Sequence, residues 1–465
     1  MPSIVDTVTE SIGAGRPLAT GPDTVENLAL GLELKFLLLG QPLNEGATPR
    51  DRLSEAPIMN RAQLYRQAYT SIARVVGRTN FGFGGNGIGG SSIHPRALSR
   101  DDILDAGHQE SEYWPTHWIV KKANSVEHTK DDPSPDMGRT NGIAVPVELN
   151  SPILSWTDPY SPFLVREVVS RITTFPVAVN YTCDFHVHVG RQDGRAFSLS
   201  TLKKLATIFW LAEPILRSVR NPHSPNFSNS YTWGFEQRRY SRLALALDCP
   251  KAAGDGFNIA EAILQRVRSR NGLRRHKDDR EDDWYLHMGE AGPSAAQNEA
   301  LRAIWQAVSH RELGLLLSGP QRKYRRLGFN FSAFGEEDER ARTNPRTVEF
   351  RVLEGTMQSE LILGWLQICG KLVELGTKGH QTHFCAVVHY LLSKQHVYED
   401  LRMLDYRTSS FGSWNFDVLP TGRMANSTSR SPRDVLFREL MDLIGVESAA
   451  SVPFQMKIRQ EYGCR

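Results

Sequence analysis

Two histidines at alternate positions offer the clearest chemistry in the sequence. His186 and His188 stand in the run Tyr181-Thr-Cys-Asp-Phe-His-Val-His-Val-Gly190, where apolar residues alternate with them. Alternate residues of a strand point to the same face, so the two imidazoles would lie roughly 7 Å apart on one side. This spacing suits convergence on one bound ion or phosphate. The run also fits a half-buried strand whose histidines face solvent.

Three further stretches repeat this alternation and carry charged residues at the polar positions. These positions are Glu33 with Lys35, Glu148, and Glu349 with Arg351. Carboxylate oxygens and one imidazole suit Mg²⁺ or Mn²⁺, and arginine suits the phosphates that accompany those ions. A single sheet built from the four strands would therefore form a trough for metal and phosphate.

The hydrophobic periodicity predicts the elements that would position these residues. Strands are predicted at residues 27–39, 113–126, 143–150, 181–190, 324–331 and 345–353. Helices are predicted at residues 60–75, 162–173, 200–219, from 258, and at 359–375, with Ser200 as an N-cap and residues 220–255 irregular. Strands and helices do not alternate strictly. The sequence therefore predicts an α+β fold, with a mostly antiparallel sheet and helices packed on one face.

Composition and charge narrow the class of protein. The 465 residues are 40% hydrophobic and 23% charged, which is typical of a folded globular protein with a real core. A net charge of +3 favours neither nucleic acid nor an anionic membrane as a partner. No secretory signal or membrane-spanning run is visible, and five cysteines without Cys-x-x-Cys spacing predict free thiols in the cytoplasm. Cys183 is expected to be a small buried residue rather than a nucleophile.

The predicted domain organisation has three parts. Residues 1–27 are expected to form a flexible N-terminal arm, residues 28–380 the catalytic domain, and residues 381–465 a C-terminal extension of helices and loops packed on it. The glycine-rich run at 81–90 lacks a Gly-Lys-Ser/Thr ending, so a mobile loop is predicted there rather than a phosphate-binding loop. Loops 79–95, 127–141 and 220–256 are expected to shape the substrate pocket.

Four motifs together resemble the amidoligase family, a branch of the carboxylate–amine ligases with the glutamine synthetase fold. They are Gly31-Leu-Glu-Leu-Lys-Phe36, Glu148-Leu-Asn-Ser-Pro-Ile-Leu154, Cys183-Asp-Phe-His-Val-His-Val-Gly190 and Thr347-Val-Glu-Phe-Arg-Val-Leu-Glu-Gly-Thr356. They follow the family's order across roughly residues 30–380. The resemblance implies a curved, mostly antiparallel sheet like that of the catalytic domains of glutamine synthetase and glutamate–cysteine ligase.

The resemblance also implies a reaction. ATP would transfer its γ-phosphoryl group to a substrate carboxylate with the help of Mg²⁺ or Mn²⁺, and an amine would attack the resulting acyl phosphate. The expected partners are a small carboxylic acid, such as an amino acid or natural-product precursor, and an amine. A homo-oligomer is compatible with this reading.

Positions in the motifs imply a role for each polar residue. The metal ligands would be Glu33, Glu148, His186 and Glu349. Catalysis would involve Lys35, Arg346 and Arg351.

The remaining residues would bind the nucleotide and its phosphates. His188 would lie by the nucleotide, and Arg351 would clamp phosphate. Arg342 and Arg346 would hold the transferred phosphate or the substrate carboxylate.

Two departures from the family pattern bear on activity. The first strand usually reads Glu-x-Glu, but here it reads Glu33-x-Lys35, and a protonated lysine cannot bind Mg²⁺. The family usually has an aspartate near Ala123, which this chain lacks. Either Lys35 stands in for a cation, or activity is lost or altered. The alternatives are thus a degenerate relative that binds a nucleotide or metabolite without catalysis, and a metal-dependent hydrolase using His186 and His188.

Overall fold

The computed structural model describes residues 23–39, 61–77, 95–128, 144–222, 236–248, 258–268, 295–320, 326–335, 346–377, 380–398, 400–401 and 432–462. The predictions for the glycine-rich run at 81–90, for Arg342 and for much of the three pocket loops lie outside these residues.

Strands and helices are both well represented in this part of the chain. The strands are β1 (Leu28–Leu39), β2 (Ala97–Ser99), β3 (Trp118–Lys122), β4 (Ala144–Asn150), β5 (Leu154–Ser155), β6 (Val177–Ala178), β7 (Phe185–Arg191), β8 (Phe329–Asn330) and β9 (Val348–Phe350). The helices are α1 (Arg61–Val76), α2 (Arg100–Asp105), α3 (Ser161–Ile172), α4 (Leu199–Leu216), α5 (Gln237–Tyr240), α6 (Arg242–Asp248), α7 (Asn258–Arg268), α8 (Ala295–Gln306), α9 (His310–Leu316), α10 (Ser332–Gly335), α11 (Ser359–Glu374), α12 (Gln381–Ser393), α13 (Pro432–Leu443) and α14 (Ser448–Tyr462).

The pairing of the strands confirms the predicted α+β class. β1 pairs antiparallel with β4, β5 and β6, β3 pairs antiparallel with β4, and β8 pairs antiparallel with β9. β2 and β3 are parallel. The sheet is therefore mostly antiparallel, as the lack of strict strand–helix alternation indicated. Its likeness to the glutamine synthetase fold stays a prediction.

The chain divides into two compact units, and the division falls inside β7 after Val187. The first unit, called the strand unit, comprises residues 29–187 and 354–363. The second unit, called the helix unit, comprises residues 1–28, 188–353 and 364–465. β7 thus contributes His186 to the strand unit and His188 to the helix unit.

The strand unit has the strand order β2-β3-β4-β1-β7, with β5 and β6 also pairing with β1. The apolar face of β1 is formed as predicted, because Leu34, Phe36 and Leu38 are each at most 1% exposed. Helix α1 packs on β2, β3 and β4, and the Tyr69 hydroxyl donates a hydrogen bond to the Pro146 carbonyl (3.1 Å). One face of this part of the sheet is therefore covered by helix.

One predicted strand of this unit is much shorter than expected. Residues 113–126 were predicted as a strand, but only Trp118–Lys122 forms β3. Before it the backbone turns, with the His117 N–H donating to the Tyr113 carbonyl (2.9 Å). Pro115 lies inside this turn and has no N–H to give to a ladder, which explains the late start of β3.

The helix unit has the strand order β7-β9-β8 and a central helix, α4. Nearly every residue of α4 is buried, and Phe209 stacks on Phe329 with ring centroids 4.4 Å apart. Helices α12 and α13 pack on α4, and α14 packs on the 3-10 turn Arg217–Val219 that follows it. Much of the C-terminal extension therefore completes the core around α4. The predicted strands at 324–331 and 345–353 shorten to β8 and β9.

The start of α4 differs from the prediction. The N-cap is Ser198, whose Oγ accepts a hydrogen bond from the Thr201 N–H (3.2 Å), and Ser200 lies within the first turn. The prediction of Ser200 as the cap was wrong. Both serines fit the sequence rule, and the extended backbone at Ser198 decides between them.

Residues 220–255, predicted to be irregular, contain α5 and α6. Glu213 of α4 explains why α5 forms. Its buried carboxylate accepts hydrogen bonds from the N–H groups of Gln237 (2.6 Å) and Arg238 (2.9 Å). A carboxylate supplied from far along the chain thus satisfies the first N–H groups of a short helix, which no local pattern reveals.

The end of the predicted N-terminal arm is anchored. Asp23 is 4% exposed, and its carboxylate accepts hydrogen bonds from Arg191 Nη1 (2.5 Å), the Ser198 N–H (2.8 Å) and Thr201 Oγ1 (2.6 Å). Val25–Asn27 then form a 3-10 turn that leads into β1. Residues 23–27 are therefore not the flexible segment that their composition indicated.

The described cysteines agree with the prediction of free thiols. Cys183, Cys369 and Cys385 are free thiols. Cys183 is fully buried in an apolar cluster with Leu37 and Ala123, as expected of a small core residue. No helix in the described ranges is both long and apolar enough to cross a membrane.

Candidate active site

The polar face of the strand unit holds a three-residue cluster, called the Lys35 cluster and formed by Glu33, Lys35 and His186. His186 Nδ1 lies 2.9 Å from Glu33 Oε2 and 3.1 Å from Lys35 Nζ, and Lys35 Nζ lies 3.4 Å from Glu33 Oε2. Lys35 is 7% exposed, and His186 is fully buried. The period-two alternation of β1 and β7 therefore brings together three residues that the sequence placed on polar faces.

A row of charges continues from this cluster across the sheet. In the antiparallel register Lys35 lies opposite Glu148, which lies opposite Lys121. Lys121 Nζ is 3.4 Å from Glu148 Oε1 and 3.0 Å from Glu110 Oε1. Asn150 completes the row: its Oδ1 accepts from Lys121 Nζ (2.8 Å), and its Nδ2 donates to Glu148 Oε1 (3.2 Å). Cations and carboxylates thus alternate along the row.

The pKa values of Glu148 and Lys121 in this row are both raised, but for different reasons. Burial raises the pKa of Glu148 and Glu33 adds to the rise, while Lys35 and Lys121 oppose it. Burial works against the charge of Lys121, but Glu148, Glu110 and Glu33 outweigh it and raise the pKa of this lysine. The protein therefore favours the charged form of Lys121.

The Glu33–His186 pair can be tested as a metal site. Their ligand atoms are close enough to bind one ion, and 2.9 Å is near the ~3.0 Å expected between neighbouring ligands of Mg²⁺. The three distances of the cluster place Lys35 Nζ ~2.9 Å from the midpoint of the pair, and an ion bonded to both atoms would lie ~1.5 Å from that midpoint. Ion and ammonium would be at most ~4.4 Å apart and would repel by ~7 kcal/mol at an effective dielectric constant of ~20. The pair does not fit a divalent ion while Lys35 stays in place.

The helix unit holds a second cluster, called the Glu349 cluster and formed by Asn330, Glu349 and Arg351. Arg351 Nη1 donates to Glu349 Oε1 (2.5 Å), and Asn330 Nδ2 donates to Glu349 Oε2 (2.5 Å). Asn330 is itself held because its Oδ1 accepts from the Ser332 N–H (2.9 Å). All three members of the cluster are at most 5% exposed. The carboxylate of Glu349 is therefore held at both oxygens.

His188 approaches this cluster from β7. Its Nδ1 lies 3.0 Å from Thr347 Oγ1, which sets the orientation of the ring, and its Nε2 lies 3.9 Å from Glu349 Oε1. β7 can come this close because a Cβ at Gly190 would lie 2.8 Å from Thr347 Cγ2. Hard cations prefer carboxylate oxygens as ligands, so Glu349 is a candidate metal ligand.

Arg346 and Arg342 are the two remaining predicted site residues. Arg346 is half-buried, and burial lowers the pKa of its guanidinium. It is close enough to His310 to lower the pKa of that imidazole, which burial lowers most. Arg342 lies outside the described residues.

The sequence analysis missed one residue of the Glu349 cluster and one residue of the row of charges. Asn330 holds Glu349 and lies in the run Gly328-Phe-Asn-Phe331, where the same period-two rule that identified Glu349 could have found it. Lys121 lies close to the departure from the family pattern at Ala123, but the sequence alone gives it no role. Its role depends on the register between β3 and β4, which the sequence does not reveal.

Comparison with known families supports the class of protein that these clusters indicate. Residues 106–282 match the profile of a family described as "Putative amidoligase enzyme", a name that denotes amide-bond-forming ligases. The match confirms the resemblance to this family over these residues. It contains the Glu148 and His186–His188 motifs, whereas the Glu33 and Glu349 motifs lie outside it. No curated protein and no solved structure matches the chain significantly.

Proposed function

We propose that the protein is an ATP-dependent ligase that joins a small carboxylic acid to an amine through an acyl phosphate. The observation that carries the proposal is the family match over residues 106–282, which contains Glu148 and both histidines of β7. The ionic character of both clusters supports it, because phosphoryl transfer depends mainly on positioning and on neutralisation of charge.

Arg351 is the proposed phosphate clamp. Its guanidinium is 3% exposed and is oriented by Glu349, so it is pre-organised to present its planar donors to phosphate oxygens. His188, oriented through Thr347, is proposed to contact the nucleotide.

Mg²⁺ bound with ATP would neutralise the charge of the phosphates. Glu349 is its proposed protein ligand in the helix unit, because neighbouring side chains orient both oxygens of this carboxylate. Glu148, in the strand unit, stays a predicted metal ligand. Glu33 and His186 were also expected to bind metal. Their contacts with Lys35 argue against a metal ion at that pair.

A second candidate function is binding of a nucleotide or metabolite without catalysis. The observation that favours it is Lys35, which stands where the family usually has a carboxylate and contacts two of the expected metal ligands.

Trapping of the acyl phosphate tests the proposal and separates the two candidates. The full chain is incubated with ATP, Mg²⁺, hydroxylamine and a panel of amino acids and other small carboxylic acids, and ADP and hydroxamate are measured. The ligase proposal expects both products with at least one acid, and a loss of about 100-fold or more in R351M. The surface variant R66M, whose residue pairs with the exposed Asp105, is the matched control. Nucleotide binding without ADP or hydroxamate from any acid would favour the second candidate.

A further inference from the structure

We propose that Lys35 is a built-in cation that occupies the Glu33–His186 pair in place of a divalent metal ion. The consequence for catalysis rests on the proposed function: a ligase with Lys35 at this position would need one metal ion fewer than a relative with a carboxylate there. The metal-binding claim itself concerns only the strand unit and does not require ATP, a substrate or turnover.

The contacts of the ammonium carry this inference. Lys35 Nζ lies within 3.4 Å of both potential ligand atoms, Glu33 Oε2 and His186 Nδ1. The side chain is 7% exposed, so the ammonium has exchanged most of its water for these two partners. It is not a surface lysine that happens to lie near a carboxylate.

The ladder fixes the position of Lys35. Its register opposite Glu148 on β4 and its place two residues after Glu33 on β1 direct the side chain to the same face as both carboxylates. Moving Lys35 off this face would require a one-residue slip of β1, which would expose its apolar residues Leu34 and Phe36. The backbone therefore places Lys35 on the same face of the sheet as the two carboxylates.

Removing the ammonium should convert the pair into a metal site. Glu33 and His186 would then offer a carboxylate oxygen and an imidazole nitrogen 2.9 Å apart, with Glu148 next to position 35 on the neighbouring strand. Oxygen and imidazole ligands suit Mn²⁺, and the separation matches adjacent positions around one ion. Lys35→Met keeps an unbranched side chain of nearly the same length and removes the ammonium group with its charge.

Lys121 provides a matched control on the same face. It contacts Glu148 and Glu110 and lies opposite Glu148 on the side away from β1. K121M therefore removes one positive charge from the same row without removing the cation at the Glu33–His186 pair. A second control, K35R, keeps a positive charge at position 35.

The test counts Mn²⁺ ions bound to the metal-stripped full chain, using the electron paramagnetic resonance signal of free Mn²⁺ during a titration without nucleotide. We expect K35M to bind one more ion per chain than the natural protein, and K35R and K121M to bind the same number as the natural protein. The additional ion should be absent from the double variant K35M/H186A. An equal count in folded K35M and the natural protein would overturn the proposal.

A second measurement keeps the proposal falsifiable if K35M does not fold. In the protein with Lys35 intact, E33Q should leave the number of bound Mn²⁺ ions unchanged, because the pair holds no ion. The loss of one ion in E33Q would overturn the proposal. Neither experiment involves ATP, so failure of the ligase proposal would show separately, in the trapping assay.

Discussion

At the residue scale, the two clusters repeat one arrangement. In each, a strand carries a glutamate and, two residues later, a cation: Glu33 with Lys35, and Glu349 with Arg351. In each, a histidine of β7 lies near the carboxylate, at 2.9 Å for His186 and at 3.9 Å for His188. The alternation of side chains along a strand makes this arrangement readable from sequence, and the predicted residues do meet within each cluster. What the sequence could not show is how tightly the cation holds the carboxylate.

Replacement of Lys121 should lower the free energy of unfolding by an amount that depends on pH. A lysine whose pKa is raised on folding adds stability that is fully present below its unfolded pKa of about 10.4 and is lost as pH rises through its folded-state value. K121M should therefore lower the free energy of unfolding by about 2–4 kcal/mol at pH 7, and the deficit should shrink above about pH 10. Urea unfolding between pH 7 and 11 measures this difference.

Lys122, the exposed next residue of β3, is the matched control for that prediction. K122M should change the free energy of unfolding by about 0.5 kcal/mol or less. A deficit in K121M that stays constant up to pH 11 would contradict the assignment of its stability to charge.

Asn330 should matter for metal binding although it is not a predicted ligand. It donates to Glu349 Oε2 and so orients the carboxylate. N330A should weaken Mg²⁺ affinity in the presence of the nucleotide by about 10- to 100-fold, as is typical of residues that orient a metal ligand. Isothermal titration measures this affinity, and unchanged affinity in a folded N330A protein would remove Glu349 from the proposed site.

At the element scale, the junction between β7 and α4 organises the helix unit. Arg191 ends β7, Ser198 caps α4, and Asp23 joins them by accepting hydrogen bonds from both. The sequence predicted the strand and the helix to within a few residues because each has clear periodicity. It did not predict Asp23, since a buried carboxylate far from its partners leaves no local pattern. The same limit applies to α5, whose first N–H groups bind the distant Glu213.

Removal of Asp23 should therefore be costly. D23A would leave the buried Arg191 without its carboxylate partner at Nη1 and the Ser198 N–H without its acceptor, with an expected loss of about 3–5 kcal/mol in the free energy of unfolding. Asp193 is the control: it binds the same arginine, but its side chain is 36% exposed, so D193A should cost about 1 kcal/mol or less. Thermal and urea unfolding measure both. Equal losses would contradict the anchoring role of Asp23.

At the scale of the whole molecule, the amidoligase reading depends on motifs spread along the chain. The family match covers residues 106–282, while Glu33 and Glu349 lie on either side of it. Strand alternation, together with the resemblance of the ordered motifs to the family, was enough to propose these residues as one set. The strand lengths and the register of β3 depend on long-range pairing, so they could not be derived beforehand.

The most direct measurement of the central claim is isothermal titration of the full chain with a non-hydrolysable ATP analogue, with and without Mg²⁺. We expect binding that requires Mg²⁺ and that weakens by at least about tenfold in both R351M and E349A. The surface variant R66M, whose residue pairs with the exposed Asp105, should bind like the natural protein. No binding of the analogue under either condition, or equal binding in E349A and the natural protein, would contradict the proposed nucleotide site.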